Sequence, residues 1–312
     1  MRWLKNIIKI TISLLLISVL IYYSNPLKVY NTVKDMNICW VLVSLILLIS
    51  TIVIFTMRIR VLVSALDKKV TFNKMLNYTT LAWAFGLFSP AKIGELYMVK
   101  PLKDEGLKIG ESTAIFIIDK FTAILTHFIF SFIGLFYFAV FVQNIFIIIL
   151  LSGIIIALGF VVLSKRGIGL IKKFFFKSIT QKFEGFSKTF SYLKKEKKIY
   201  LMYNLILNIL SLVLRSLVVF VLFISIGKYA SIPLIAAITA ITTLAALVPI
   251  SLSGLGIRES FSVFLFGVRG YDVSTVTGIY LISSLIMYAL AALLMPFLIR
   301  WSKISSKNNP RN

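Results

Sequence analysis

The chain has 312 residues, of which 59% are apolar and only 14% charged, with a mean hydropathy of +0.96, whereas globular domains average about 45–50% apolar and about 25% charged. One cysteine, Cys39, excludes an intrachain disulfide framework and a multi-cysteine metal site, and one histidine, His127, excludes histidine-rich metal chemistry. The net charge of +23, from 34 Lys+Arg against 11 Asp+Glu, would point to nucleic acid in a soluble protein. Here the basic residues sit mainly between apolar segments, so the charge is read as membrane topology and no nucleic-acid partner is expected.

A helical span needs about 20 mostly apolar residues. Six segments qualify, at residues 8–23, 38–57, 120–142, 145–163, 199–226 and 273–297. The first follows Arg2, Lys5 and Lys9 as a secretory signal would, but no small-residue cleavage site precedes Asn25-Pro26, so it is read as a retained span. Two further apolar stretches are interrupted. Residues 78–89 run into Pro90-Ala91-Lys92-Ile93-Gly94-Glu95, and residues 233–250 run into Ser251-Leu252-Ser253-Gly254-Leu255-Gly256-Ile257-Arg258-Glu259. Each then resumes, as a segment does that enters the bilayer, breaks and returns. Irregular backbone at that depth is tolerated only where protein or a water-filled cavity satisfies its polar groups, so both breaks should line a cavity.

The distribution of positive charge supports this arrangement. With the N-terminus inside, segments 1–9, 58–75, 100–112, 165–198 and 298–312 carry 26 Lys+Arg, and the outside segments 25–37, 227–232 and 268–272 carry four. The last four, Lys92, Lys120, Arg215 and Arg258, fall within apolar segments. Both termini are therefore expected in the cytoplasm, in the cell membrane. The expected fold is an all-α polytopic membrane protein of six full spans and two re-entrant hairpins, near 76–100 and 232–267, with a hydropathy count of six to eight. Residues 1–142 form the first half, residues 143–164 and 199–298 an inverted second half, residues 165–198 a basic cytoplasmic segment and residues 299–312 a tail. Paired broken segments in inverted halves are the pattern of a transporter site near the midplane.

An ionisable group inside the bilayer costs about 2.5–3.5 kcal/mol even on the lenient scale and needs a partner, a cavity or a function. Lys92 with Glu95, and Arg258 with Glu259, occupy the two breaks and are the leading substrate-site candidates. A cation in each would hold an anionic headgroup. Gly94, Gly254 and Gly256 would let backbone N–H groups approach it. The alternative is that both pairs are salt bridges ending short helices. Asp119 and Lys120 open the third span as supporting residues. Adjacent helix positions point about 100° apart, so each should have a different partner, with snorkelling as the other reading of Lys120. Arg215 lies mid-span and must face protein or water. Asn204 and Asn208, up to three turns before it, make a polar stripe plausible, and a packing role through interhelical hydrogen bonds competes with a substrate role. His127 reads as a hydrogen-bonded core residue sooner than a proton relay.

Segment 165–198 carries eleven basic residues against Glu184 and Glu196, with Ile168, Ile171, Phe175, Ile179, Phe183, Phe186, Phe190 and Leu193 at helical spacing. It would lie in the cytoplasmic interface, either recruiting anionic lipid or simply anchoring the topology.

Ser89-Pro90-Ala91-Lys92-Ile93-Gly94-Glu95, Ile118-Asp119-Lys120-Phe121 and the Pro249–Glu259 patch together resemble the flippase-like membrane proteins related to the transmembrane part of lysylphosphatidylglycerol synthase, the multiple peptide resistance factor. The resemblance implies a lipid-translocating module with two re-entrant hairpins. Relatives of this kind occur fused to or beside glycosyltransferases that use lipid carriers. Members often carry an acidic residue shortly after the counterpart of Lys120, where this chain has Thr122-Ala123. No segment corresponding to the soluble aminoacyl-tRNA-dependent transferase precedes Asn312, so synthase activity is not expected.

The leading expectation is a flippase or transporter of a phospholipid or lipid-linked headgroup, with membrane lipids, anionic ones among them, as partners. A membrane-embedded transferase acting on a polyprenyl phosphate or phospholipid, with Glu95 or Glu259 as base, is the second reading. It lacks an Asp-x-x-Asp metal motif and a nucleotide loop. An ion-coupled carrier of small solutes is the third. No catalytic residue, metal or cofactor is predicted.

Overall fold

The structure, a computed structural model, describes residues 2–90, 92–139, 186–248 and 250–307. Among these the chain folds into α1 (Arg2–Tyr23), α2 (Pro26–Lys34), α3 (Ile38–Ser64), α4 (Phe72–Leu87), a 3-10 helix (Ile93–Met98), α5 (Val99–Asp104) and α6 (Ile109–Ala139). From residue 186 onward come α7 (Phe186–Glu196), α8 (Lys198–Ile224), α9 (Ile232–Ala245), α10 (Ile257–Val268) and α11 (Val273–Lys307). The fold is all-α, and α3, α6, α8 and α11 each contain a stretch long and apolar enough to cross a bilayer. Large apolar side chains such as Leu14, Ile46, Phe132, Ile206 and Leu293 stand exposed along α1, α3, α6, α8 and α11, as they would against acyl chains.

The chain bends by 93° between α1 and α2. Asn25 there takes φ 59, and its side chain accepts from Lys28 N–H at 3.3 Å. Pro26 follows, with no N–H to continue α1. Residues 25–37, expected as a loop, thus contain a short helix held on α11, where Ser24 and Thr277 hydroxyls lie 2.7 Å apart. The span expected at 145–163, and most of the amphipathic pattern at 165–198, lie outside the described residues. Of that segment, α7 is described, with Leu193 fully buried and Phe190 exposed.

The long helices fix the positions of the hairpins. Asn204, near the start of α8, donates to the carbonyl of Arg58, near the end of α3, at 3.2 Å. Asn37 N–H, before α3, donates to the carbonyl of Ser225, just after α8, at 2.8 Å. These helices therefore run antiparallel, and the segments following them begin at opposite ends of the bundle.

From the end of α3, the 16-residue α4 rises about 24 Å, less than a full crossing. It breaks at Ser89–Lys92 and returns through the 3-10 helix and α5. Glu105, just past α5, accepts from Lys74 Nζ and from Tyr78 OH at 2.8 Å each, back at the start of α4. From the end of α8, the 14-residue α9 enters and α10 returns. The rings of Phe266 and Tyr271 then lie 5.2 and 5.8 Å from Phe223, beside the point where α9 began. Each hairpin thus folds back to the end from which it came.

Each is packed by its own apolar cluster. Phe55, Ile59, Leu62, Met75, Leu102 and Ile115 bury the first. Leu222, Phe223, Leu234, Ile238, Phe266 and Ile279 bury the second. The two tips meet, since an antiparallel β-bridge pairs Pro90 with Leu252.

Candidate functional site

The first break is shaped by Ser89, whose hydroxyl donates to Gly86 O at 3.0 Å and accepts Gly94 N–H at 2.7 Å. Lys92 follows in the left-handed region at φ 56 and leads into the 3-10 helix. A methyl group on Gly94 would lie 2.2 Å from the carbonyl oxygen of Phe85, and one on Gly86 would lie 2.6 Å from Glu95 Cγ. The return arm is therefore pressed directly onto α4.

The second break reaches α10 through Ser253, Gly254 and Gly256, all at positive φ. Leu252 N–H donates to Ser13 Oγ of α1 at 3.0 Å. A methyl on Gly256 would meet Leu16 of α1 at 2.6 Å, and one on Gly254 would meet Ala246 at 2.2 Å. The space beside Gly94, Gly254 and Gly256, expected to admit a ligand to the backbone, is filled by protein. Small residues are needed at these positions for chain packing.

Three carboxylates in and beside the breaks are each held by a cation. Asp119 is held by Arg58 of α3, with Nε 2.9 Å from Oδ1 and Nη2 2.7 Å from Oδ2, and it accepts Asn204 Nδ2 at 3.1 Å. Asn208 Nδ2 donates to Asn204 Oδ1 at 3.1 Å. Glu95, 4% exposed, accepts from Lys120 Nζ, which also lies over the rings of Phe55 and Phe116. Glu259, fully buried, takes Gly256 N–H at 2.6 Å on Oε2, and Arg258 Nη2 at 2.7 Å and Ser284 Oγ at 2.5 Å on Oε1. Arg258 Nη2 also lies 2.8 Å from Ser284 Oγ.

Several expectations are corrected by these pairs. Glu95 is partnered by Lys120, not by its neighbour Lys92. Asp119 and Lys120 do not open a span, because α6 begins ten residues earlier at Ile109. Their charges are matched from α3 and from the first hairpin, so an apolar helix can carry them inward. Asn204 and Asn208 serve the Asp119 cluster and are packing residues. Arg258 and Glu259 do pair as expected.

The charge distribution places Arg58 in a cytoplasmic loop, yet α3 runs seven residues past the expected end, and Arg58 is 4% exposed. The sequence signal for this was Ile59, Leu62 and Val63, which continue the apolar face beyond it. Ser13 and Ser284, each one of several hydroxyls in an apolar helix, give no such signal.

Once Arg58, Lys120 and Arg258 are matched, Lys92 and Arg215 remain, and neither has a carboxylate partner among the described residues. Lys92 stands at the first tip and Arg215 within α8, both half-buried. On α6, His127 Nδ1 lies 2.7 Å from Ala123 O. A carbonyl can only accept, so Nδ1 carries the proton and Nε2, buried and unpartnered among the described residues, presents a lone pair. The buried hydroxyls of Ser251 and Ser253, at the second tip, also lack a partner there. Where the tips meet, Lys92 thus stands without an ion-pair partner, and Ser251 and Ser253 without a hydrogen-bond partner, among the described residues.

Residues 6–294 match the family model described as the lysylphosphatidylglycerol synthase TM region. No curated protein matches the chain.

Proposed function

We propose, from the premise that this chain belongs to the family of the lysylphosphatidylglycerol synthase TM region, that it is a multi-pass membrane protein which moves a phosphate-bearing lipid headgroup across the bilayer through the layer where its two hairpins touch. The observation that carries this reading is that Lys92, at the first tip, and Arg215, within the span on α8, have no carboxylate ion-pair partner among the described residues. Two positive charges without a counter-charge are costly in a low-dielectric layer unless an anion visits them. The headgroup would be held by Lys92 and Arg215, with Arg258 at its edge, while its acyl chains remain in lipid.

The architecture supports a passage approached from both sides. The hairpins enter from opposite ends, α3 and α8 run antiparallel, and α4 packs on α11 as α9 packs on α6. These relations support the reading of the chain as an inverted repeat, in which a central site would be exposed alternately to either leaflet. With the more basic segments inside, both termini lie in the cytoplasm of a plasma-membrane protein. A transferase reading is less favoured, because Glu95 and Glu259, its candidate bases, are each committed to a cation.

The test is translocation of a fluorescent anionic lipid in proteoliposomes, followed by chemical quenching of the outer leaflet. Lys92→Gln and Arg215→Gln should each slow it by about tenfold or more, equivalent to loss of about 1.4 kcal/mol per lost contact, with unchanged elution of the purified protein. Native rates in both variants would rule out the proposed site.

A further inference from the structure

We infer that the outward face of α7 is a headgroup site for an anionic phospholipid of the bordering leaflet, built on Lys188 and Lys195 and separate from the layer where the hairpins touch.

The helix lies along the end of the bundle instead of projecting from it. Leu193 is fully buried in the cluster that packs the first hairpin, Thr189 one turn earlier is buried as well, and Lys197, just past the helix, reaches Asp67 Oδ1 beyond α3 at 3.4 Å. Positions 189, 193 and 197 are four apart and mark the inward side. On the outward side Lys188, Ser191, Tyr192 and Lys195 are all exposed, again at spacings of three and four. With Glu196 they line an open groove of about 400 Å³, a volume within the range of small-ligand sites. Lys188 and Lys195 stand about two helical turns, or about 10.5 Å, apart along the axis. Their flexible stems can close on one phosphate from either side, over the hydroxyls of Ser191 and Tyr192.

Charge and depth select the occupant. Residues 186–198 hold five lysines against Glu196. Lys197 is taken by Asp67 and lies over the rings of Tyr192 and Tyr200, whereas Lys188, Lys194, Lys195 and Lys198 have no ion-pair partner among the described residues. Such a surface complements an anion. Lys197 is also the single residue between α7 and α8, and Ile199, Met202 and Tyr203 in the first turns of α8 are exposed as they would be against acyl chains. The groove therefore lies beside the point where the bilayer begins, at the level of lipid headgroups, where basic side chains next to a span attract anionic lipid. Glu196, at the α8 end, offsets one of the two groove lysines, and the single positive charge that remains matches a phosphodiester.

The test is native mass spectrometry of the full-length protein with an equimolar mixture of phosphatidylglycerol and phosphatidylcholine. At least one phosphatidylglycerol should stay bound about tenfold or more tightly than phosphatidylcholine. Lys188→Gln with Lys195→Gln should remove that one equivalent at an unchanged melting temperature, since both side chains are exposed, whereas Lys188→Arg with Lys195→Arg should keep it. Lys68→Gln with Lys69→Gln removes the same charge from exposed positions in the loop after α3, at the same end of the bundle, and should also keep it. Equal retention of the two lipids by the native protein overturns the site. So does an equivalent that survives Lys188→Gln with Lys195→Gln, or one lost equally from both glutamine pairs, because overall basic charge and not the groove would then hold it. Displacement by inorganic phosphate as effective as by phosphatidylglycerol would assign the groove to a free anion and overturn the lipid assignment. None of these outcomes depends on lipid crossing the layer at the tips, so this site and translocation fail separately.

Discussion

Arg58 and Asp119 meet in a two-point ion pair between α3 and α6, with their side chains 5% and 0% exposed. Asn204 adds a third helix by donating both to Asp119 Oδ1 and to the Arg58 carbonyl. A charge pair survives in apolar surroundings only if its geometry is good and its remaining polar atoms are matched. Here both conditions hold. The next residue on α6, Lys120, reaches Glu95, so this one turn of helix ties the first hairpin to α3 and α8.

Removing one member of that pair should be far worse than removing both. Asp119→Ala would strand Arg58 as an additional unmatched cation, at a cost of about 3–5 kcal/mol. Arg58→Leu combined with Asp119→Leu should recover most of the loss. Thermal unfolding in detergent, arranged as a double-mutant cycle, measures the coupling. A double variant as unstable as the sum of the singles would show that the two side chains do not depend on each other.

Glycine substitution should separate hairpin packing from helix propensity. At Gly94 an added methyl would strike the Phe85 carbonyl at 2.2 Å, a backbone atom that cannot move without opening the break. Gly94→Ala should therefore lower the melting temperature and abolish lipid translocation together. At Gly267, within α10, the nearest atom is 3.6 Å away, so Gly267→Ala should be neutral or stabilising by up to about 1 kcal/mol. Comparable losses at both positions would contradict the tight return of the first hairpin.

Much of this was legible in the sequence because the bilayer imposes strict rules. The spans on α3, α8 and α11, the two broken segments and the separate partners of Asp119 and Lys120 follow from length, charge placement and helical geometry. What escaped was pairing over long sequence distance. Hydropathy reads Arg58 as the end of a span, and only the fold brings an acid sixty-one residues away against it. The start of α6 was placed too late for the same reason, since charges matched by distant segments do not end a helix. The glycines of the two breaks stand out in the sequence, but what they pack against, Phe85, Leu16 and Ala246, is set by neighbours that no local pattern reveals.

Asp272 gives a pH dependence whose sign can be worked out. It precedes α11 and accepts Thr275 N–H at 2.8 Å. Its hydrogen bonds to the Thr275 side chain and N–H, aided by Lys228 and Lys28, hold its carboxyl below the usual range. A depressed folded-state value means the contribution is complete above the unfolded value near ~3.9 and is lost as pH falls through the folded one. Native protein should therefore lose melting temperature below about pH 4 more steeply than Asp272→Asn, which keeps a capping oxygen but cannot ionise. The residue is exposed, so the difference should be small. Parallel curves for the two proteins would show that the cap does not depend on charge.

Contact between the hairpin tips can be tested by trapping it. Pro90 and Leu252 are bridged as antiparallel neighbours, which places their Cα atoms about 4.5–5.5 Å apart, within the range of about 4.4–6.8 Å that a disulfide spans. Tyr288 OH lies 3.5 Å from the carbonyls of both Leu87 and Leu252, so it straddles the same junction. In a Cys39→Ser background, Pro90→Cys with Leu252→Cys should cross-link under mild oxidation, and Pro90→Cys alone should not. Passage of a headgroup between the tips requires them to part, so the oxidised double variant should stop translocating fluorescent lipid and a reductant should restore it. Translocation that continues with the bond closed would mean that the lipid takes another route and that the layer between the tips is structural.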